Sequence, residues 1–329
     1  MKTPNGTPFR RVLVRAIGGP EQLTLETTDD TPRIRRDQLL VDVEACGVNY
    51  LDVYQRSGTH KVPLPYTPGF EGVGRICEAG EAASGFRIGQ RIAWINVLGS
   101  YASQVAVPTD RAIPVPDQFT ATQALMFQGL TAQFLVTEYH DIRPGDRVLV
   151  HSAAGGVGRL LVQWCKRLGA WVVGTTSSDA KAATVRTAGA DAVINYGASY
   201  EFLGELKSLT GGKGVDLAFD GIGAATLEST LQALARGGTA VSIGSTSGPR
   251  PAIRPEQLIP QCIRLAGGSV FSYTADPAEL QRRAGAVIEG IRAGWLRVHE
   301  GKAYSLESAA EAHRDLESRA TQGKLYLVP

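Results

Sequence analysis

The residues best placed to do chemistry on a ligand form a run of small side chains, His151-Ser-Ala-Ala-Gly-Gly-Val-Gly158, directly after the apolar stretch Val148–Val150. Ala153, Gly155 and Gly158 take the three spaced positions of a dinucleotide-binding turn. Gly155 and Gly156 let backbone approach a pyrophosphate, and Gly158 allows a helix to pack closely on the preceding strand. Val157 falls where the helix offers unpaired N–H groups and a partial positive charge to an anion. Such loops also make ordinary tight turns, so the surrounding elements have to decide.

The next strand selects the dinucleotide. An NAD site carries Asp or Glu near the end of that strand, to accept from the ribose 2′-hydroxyl. Here the strand runs into Gly174-Thr-Thr-Ser-Ser178, and the first acid is Asp179. Ser177 and Lys181 suit a 2′-phosphate, which a carboxylate would repel. The expected cofactor is therefore NADPH.

The elements that must hold this loop are legible from hydrophobic rhythm. From Arg11 to about Pro116 short strands alternate with Gly and Pro: Val12–Ala16, Leu39–Ala45, Gly72–Glu78, Arg91–Ile95 and Gln104–Val107. This predicts a mostly β unit. From about Leu125 to Phe271 strands apolar on both faces alternate with helices, which predicts a parallel sheet covered on both sides. Its expected strands are Val148–His151, Trp171–Gly174, Ala192–Asn195, Val215–Phe219, Thr239–Ile243 and Leu265–Val270. Its expected helices are Val157–Leu168, Asp179–Ala188, Tyr200–Leu209 and Ala225–Arg236. The tail reads as a helix at Pro277–Ala293, a short strand pair around Val298–Tyr304, a helix at Leu306–Arg319 and a strand at Leu325–Val328. It is expected to fold back onto the N-terminal unit.

Composition excludes several function classes. Net charge is +2, with 43% hydrophobic and 20% charged residues. There is no footprint for a nucleic acid or an anionic membrane. No apolar run approaches the ~20 residues of a membrane span, and the polar start Met1–Arg10 lacks a signal-peptide core. Cys46, Cys77, Cys165 and Cys262 form no Cys-x-x-Cys pair and are expected to be reduced core residues of a soluble, cytoplasmic protein.

The glycine loop, Val193-Ile-Asn-Tyr196 and Glu317-Ser-Arg-Ala-Thr-Gln-Gly323 together resemble the zeta-crystallin-like quinone oxidoreductases of the medium-chain dehydrogenase/reductase superfamily. Asn49-Tyr-Leu-Asp-Val-Tyr-Gln-Arg-Ser-Gly58 and Gln128-Gly-Leu-Thr131 extend the likeness, which runs from about Val12 to the end. The resemblance implies an α/β chain in which a Rossmann doubly wound sheet (residues 125–271) is inserted into a GroES-like, mostly β catalytic domain (residues 1–124 and 272–329). It implies NADPH as hydride donor and a homodimer or homotetramer. It places Gly156 and Val157 at the pyrophosphate, and Ser177, Lys181, Tyr196 and Arg319 around the 2′-phosphate. Asn49, Tyr54 and Thr131 fall near the nicotinamide, with Ser245 and Phe271 along the cleft.

The zinc enzymes of the same superfamily bind their catalytic metal with Cys, His and Cys. Those positions fall here on Asn49, Phe70 and Phe127, so no metal is expected. Alcohol oxidation needs a Lewis acid or strong base to stabilise an alkoxide. Without one, the favoured acceptors are those whose product anion is already stable, namely quinones, or enones that yield an enolate. Asn49 and Tyr54 are the polar groups expected beside the acceptor, Tyr54 either donating a proton or hydrogen bond or only positioning. His151 is expected to order the strand end. The leading reading is an NADPH:quinone reductase. A 2-alkenal, enone or enoyl reductase is the second, and a non-catalytic NADPH- or RNA-binding protein the third.

Overall fold

The short N-terminal runs become β1 (Phe9–Val14), β2 (Leu23–Thr28), β3 (Gln38–Gly47), α1 (Tyr50–Arg56), β4 (Glu71–Ala79), β5 (Arg91–Ile95), β6 (Gln104–Pro108), β7 (Ala112–Pro114) and α2 (Ala121–Ala124). There follow α3 (Phe127–Glu138), β8 (Arg147–Val150), α4 (Gly156–Arg167), β9 (Trp171–Thr176), α5 (Asp179–Thr187), β10 (Ala192–Asn195) and α6 (Leu203–Leu209). Next come β11 (Val215–Asp220), α7 (Leu227–Gln232), β12 (Leu234–Ser242), β13 (Arg264–Gly267), α8 (Val270–Tyr273) and α9 (Pro277–Arg292). The chain closes with β14 (Ala303–Ser305), α10 (Ala309–Ser318) and β15 (Tyr326–Val328). This computed structural model describes residues 8–318 and 321–329. The chain divides into two units: described residues through Phe127 with Pro277–Ala284 and Val298–Pro329, and Gln128–Asp276 with Gly285–Arg297.

In the first unit the strands run β14-β15-β3-β4-β5-β7, with β6 also paired to β3 and β1–β2 forming a separate ribbon. The tail joins this sheet: Tyr326 pairs with Gly47 and Leu327 with Cys46. One apolar cluster gathers Val12, Val14, Cys46, Val48, Tyr101, Leu306 and Leu327, and a second gathers Leu39, Val41, Ile76, Ile92, Trp94 and Val107. Each fully buried aliphatic side chain contributes about 1.5–3 kcal/mol by leaving water.

The second unit is a parallel sheet of order β10-β9-β8-β11-β12-β13. Counted from β8 this is 3-2-1-4-5-6, the doubly wound order that places a ligand crevice beyond the carboxyl ends of the first and fourth strands. Its core includes Leu149, Val173, Ile194, Ala218, Ala240 and Leu231. A run that is apolar on both faces is what a doubly covered parallel strand requires.

Four sequence expectations are corrected here. The helix expected at Ala225–Arg236 stops at Gln232, because Leu234 already pairs with Val215 on the neighbouring strand. The strand expected at Leu265–Val270 ends at Gly267, and Val270 begins a helical turn. Around Val298–Tyr304 there is no strand pair: β14 pairs in parallel with β15. Cys262 is exposed and sits at φ 53°, in the turn before β13, and Cys77 is only half-buried; Cys46 and Cys165 are buried, and all four are free thiols.

Gly301 holds the tail in register, since a Cβ there would overlap the Lys324 carbonyl. Gly301→Ala is expected to destabilise the fold by about 1–3 kcal/mol through overpacking. Denaturant unfolding reads this, and an unchanged midpoint would show that the Lys324 backbone is not confined at Gly301.

Candidate active site

In the nucleotide-binding unit, β8 ends at Val150 and His151 hands the chain to the loop. The His151 N–H donates to the Phe219 carbonyl at 3.0 Å, and the Ala153 N–H to the Thr175 carbonyl at 3.0 Å. The buried imidazole lies between the Thr175 and Thr230 hydroxyls, each at 2.9 Å, with the Phe202 ring edge-on. Burial lowers its pKa. Thr230 in turn donates to Asp220, whose other oxygen takes the Ile222 and Gly223 N–H groups. His151 therefore ties β8, β9 and α7 together below the loop.

The loop has the features a pyrophosphate needs. Gly155 is the N-cap of α4, and the first turn of that helix carries no acid. No acceptor among the described residues takes the N–H groups of Gly156, Val157 and Gly158. A Cβ on Gly158 would overlap the Ser152 carbonyl and the Ala153 backbone, and one on Gly156 would overlap the Gln128 side chain. The glycines are thus required by close approach.

Ser177 follows the last residue of β9 and is exposed. Lys181 occupies the first turn of α5, and its N–H donates to the Ser178 hydroxyl at 3.4 Å. Burial holds the Lys181 ammonium somewhat below its usual pKa. Tyr196, buried with its ring tilted against Tyr200 at 5.0 Å between centroids, donates its N–H to the Thr176 carbonyl at 3.0 Å. These three residues therefore surround one strand tip. The nearby Asp179 carboxylate accepts from Asn195 at 2.8 Å. Ser245 lies just beyond β12, Phe271 in α8 and Thr131 in α3. Arg319 lies outside the described residues.

Sequence reasoning passed over Arg159, which directly follows Gly158. Its Nε and Nη1 are buried without a hydrogen-bond partner among the described residues, and burial lowers its pKa. Its signal was only its place one turn into the phosphate-facing helix.

In the other unit, Asn49 is the N-cap of α1, yet its side chain does not cap the helix. The amide turns instead to a buried ion pair. Asn49 Nδ2 donates to Glu71 Oε1 at 2.8 Å, and Lys324 Nζ donates to Asn49 Oδ1 at 2.9 Å and also to Glu71 Oε1. Glu71 Oε2 accepts from the Phe127 N–H at 3.0 Å. Glu71 is 0% and Lys324 2% exposed. Hydrogen bonds to charged groups contribute about 1.5–3 kcal/mol each. A flipped amide would forfeit two and set like poles against both ions.

With the side chain of Asn49 so engaged, the first turn of α1 is capped by Asp52, whose Oδ2 accepts from the Asn49 N–H at 2.8 Å and from the Tyr101 hydroxyl at 3.1 Å. The chain of donors has one direction. Arg56 Nη1 donates to His313 Nδ1 at 3.2 Å, so His313 Nε2–H must donate to Tyr101 at 3.1 Å, and Tyr101 to Asp52. Arg56 is held outward by Glu317. Burial, reinforced by Glu71 and opposed by these hydrogen bonds, lifts Asp52 to about 7. Burial and the Arg56 charge lower His313 to about 3, which keeps it neutral. Among the described residues Asp52 Oδ1 has no partner, and neither has the buried hydroxyl of Tyr54, whose ring lies 5.4 Å from His60.

At the three positions that the resemblance equates with zinc ligands of related enzymes, the side chains are the engaged amide of Asn49 and the phenyl rings of Phe70 and Phe127, which do not form a zinc donor set. Among the described residues no group of three His, Cys, Asp or Glu side chains could hold a metal ion.

Comparison with known proteins places this geometry. The alcohol dehydrogenase GroES-like domain family matches residues 35–117, and the zinc-binding dehydrogenase family matches residues 156–284. The "probable quinone oxidoreductase" of Schizosaccharomyces pombe is 35% identical over 313 residues, 94% of each chain. A "2-haloacrylate reductase" of Burkholderia sp. is 34% identical over 296 residues, 87% of this chain and 89% of its own. The structure of Escherichia coli quinone oxidoreductase complexed with NADPH superposes with a TM-score of 0.92 at 33% identity, covering 97% of this chain and 100% of that one.

The opposed shifts of Asp52 and His313 give a pH test. Asp52 titrates at 3.8 when unfolded and about 7 when folded, so its stabilising contribution is lost as pH rises through that window. His313, lowered from 6.5 to about 3, acts oppositely: its contribution is lost as pH falls below 6.5. Asp52→Asn removes the first effect alone. Relative to the parent, it should gain about 2–3 kcal/mol of stability between pH 5 and pH 8. A difference independent of pH, in parallel denaturant titrations, would contradict the buried, raised Asp52.

Proposed function

The chain belongs to the quinone oxidoreductase family of the medium-chain dehydrogenase/reductase superfamily, and we propose that it is an NADPH-dependent reductase that delivers hydride to a quinone without a metal. The observation that carries the cofactor choice is the acid-free tip of β9, with Ser177, Lys181 and Tyr196 around it. The glycine loop supports the pyrophosphate, and the unanswered guanidinium of Arg159 adds positive charge to that helix end.

Bound NADPH supplies a hydride equivalent to the acceptor, and one proton completes a hydroquinone. The residues of this chain bind, orient and exclude water. In the mostly β unit Asn49 would contribute a fixed amide and Tyr54 a buried hydroxyl with no partner among the described residues, and in the nucleotide-binding unit Thr131, Ser245 and Phe271 would hold the nicotinamide. Reduction of a quinone gives a phenolate-like oxygen whose conjugate acid has a pKa near ~10, so positioning can replace a Lewis acid.

The similarity to a 2-haloacrylate reductase favours conjugated carboxylates or carbonyls as the second reading. A homodimer accompanies the proposal, because β13 ends the parallel sheet at an open edge. Among the described residues no helix is long and apolar enough to cross a membrane, and we read the protein as cytoplasmic.

Turnover decides between these readings. NADPH should be oxidised with 1,4-benzoquinone or 9,10-phenanthrenequinone and NADH should support little. Turnover with enones or haloacrylates only would promote the second reading. Lys181→Ala should raise the KM for NADPH by about tenfold or more, the scale of one charge-assisted phosphate contact. The KM for NADH should barely move, and equal effects on both cofactors would remove Lys181 from the 2′-phosphate site.

A further inference from the structure

We propose that Glu71 and Lys324 are positioning residues that hold the side-chain amide of Asn49 in one orientation, and that this orientation is what Asn49 brings to turnover. The inference rests on the reading of Asn49 as a residue of the reacting centre.

Three observations carry it. First, both heavy atoms of the amide are matched to an ion of the correct sign: Nδ2 to the Glu71 carboxylate at 2.8 Å and Oδ1 to the Lys324 ammonium at 2.9 Å. An amide rotated by half a turn would meet a carboxylate with its oxygen and an ammonium with its nitrogen, so only one rotamer survives. Second, the surroundings are shaped for this pair. Gly47 has no side chain where a Cβ would overlap Glu71 and the Lys324 stem, and Glu71 is anchored from behind by the Phe127 N–H. Third, stability alone does not call for charges at such a place. A buried ion pair can be replaced by apolar groups of similar volume at no loss of stability, whereas no apolar pair could orient an amide.

A double-mutant cycle tests whether Lys324 acts through Asn49. The full-length protein is saturated with NADPH, and kcat with 1,4-benzoquinone, KM for NADPH and Tm are measured for Asn49→Ala, Lys324→Met and the combination. Lys324→Met should lower kcat by about tenfold or more while KM for NADPH changes less than about threefold. The combination should match Asn49→Ala alone within about threefold. If its loss is instead the product of the two single losses, or if Lys324→Met keeps the parental kcat, the proposal is overturned. Glu71→Gln/Lys324→Met removes both charges and covers the case where a single variant fails to fold. The expected result is a Tm near the parent's with kcat still low; recovery of both would show a purely structural pair. Parental kcat in Asn49→Ala would instead overturn the reading of Asn49 itself, independently of its neighbours.

Discussion

A lysine and a glutamate with no access to water must answer one another. Removing each ion from water costs several kcal/mol, and only close, well-partnered contact offsets this. In the mostly β unit, Glu71 and Lys324 meet that requirement with Asn49 between them and the Phe127 N–H behind. The partners arrive from four places: the end of β3, the start of β4, the start of α3 and the approach to β15. The C-terminal tail is therefore a structural member of this unit, and Lys324 links its placement to Asn49.

The second buried network, Arg56–His313–Tyr101–Asp52, is continuous with the first through the Asn49 N–H. It fixes α1, on which Tyr54 lies, against α10. Two titratable groups with oppositely displaced pKa values share this chain, one neutral imidazole and one carboxyl near neutrality. The nucleotide-binding unit uses the same principle with hydroxyls: His151, Thr175, Thr230 and Asp220 lock the ends of β8, β9 and β11 beneath the glycine loop. Both units thus set the residues proposed to face the ligand on buried polar supports.

Much of this was readable in one dimension. The glycine loop, the acid-free end of β9 and the alternation of strands and helices are local signals, and they carried the parallel sheet, whereas its strand order is set by non-local pairing. Boundaries failed where pairing overrode local pattern: Leu234 is drawn into β12 because Val215 awaits it, and Gly267 ends β13 although the apolar Val270 and Phe271 follow shortly after. Glu71 directly follows Phe70, but its partner is 253 positions away, and a lone lysine near a C-terminus carries no sign of burial. Asn49 was singled out by motif, whereas the turning of its amide toward Glu71 and Lys324 depends on that distant charge. Cys262 misled because an apolar neighbourhood in sequence became an exposed turn.

Recognition of the 2′-phosphate of NADPH through the tip of β9 is open to direct measurement. Isothermal titration of the purified protein with NADPH and with NADH reads it without any acceptor. NADPH should bind tighter by about 30-fold or more, equivalent to roughly 2 kcal/mol of charge-assisted contact. Equal affinities, or tighter NADH, would contradict it.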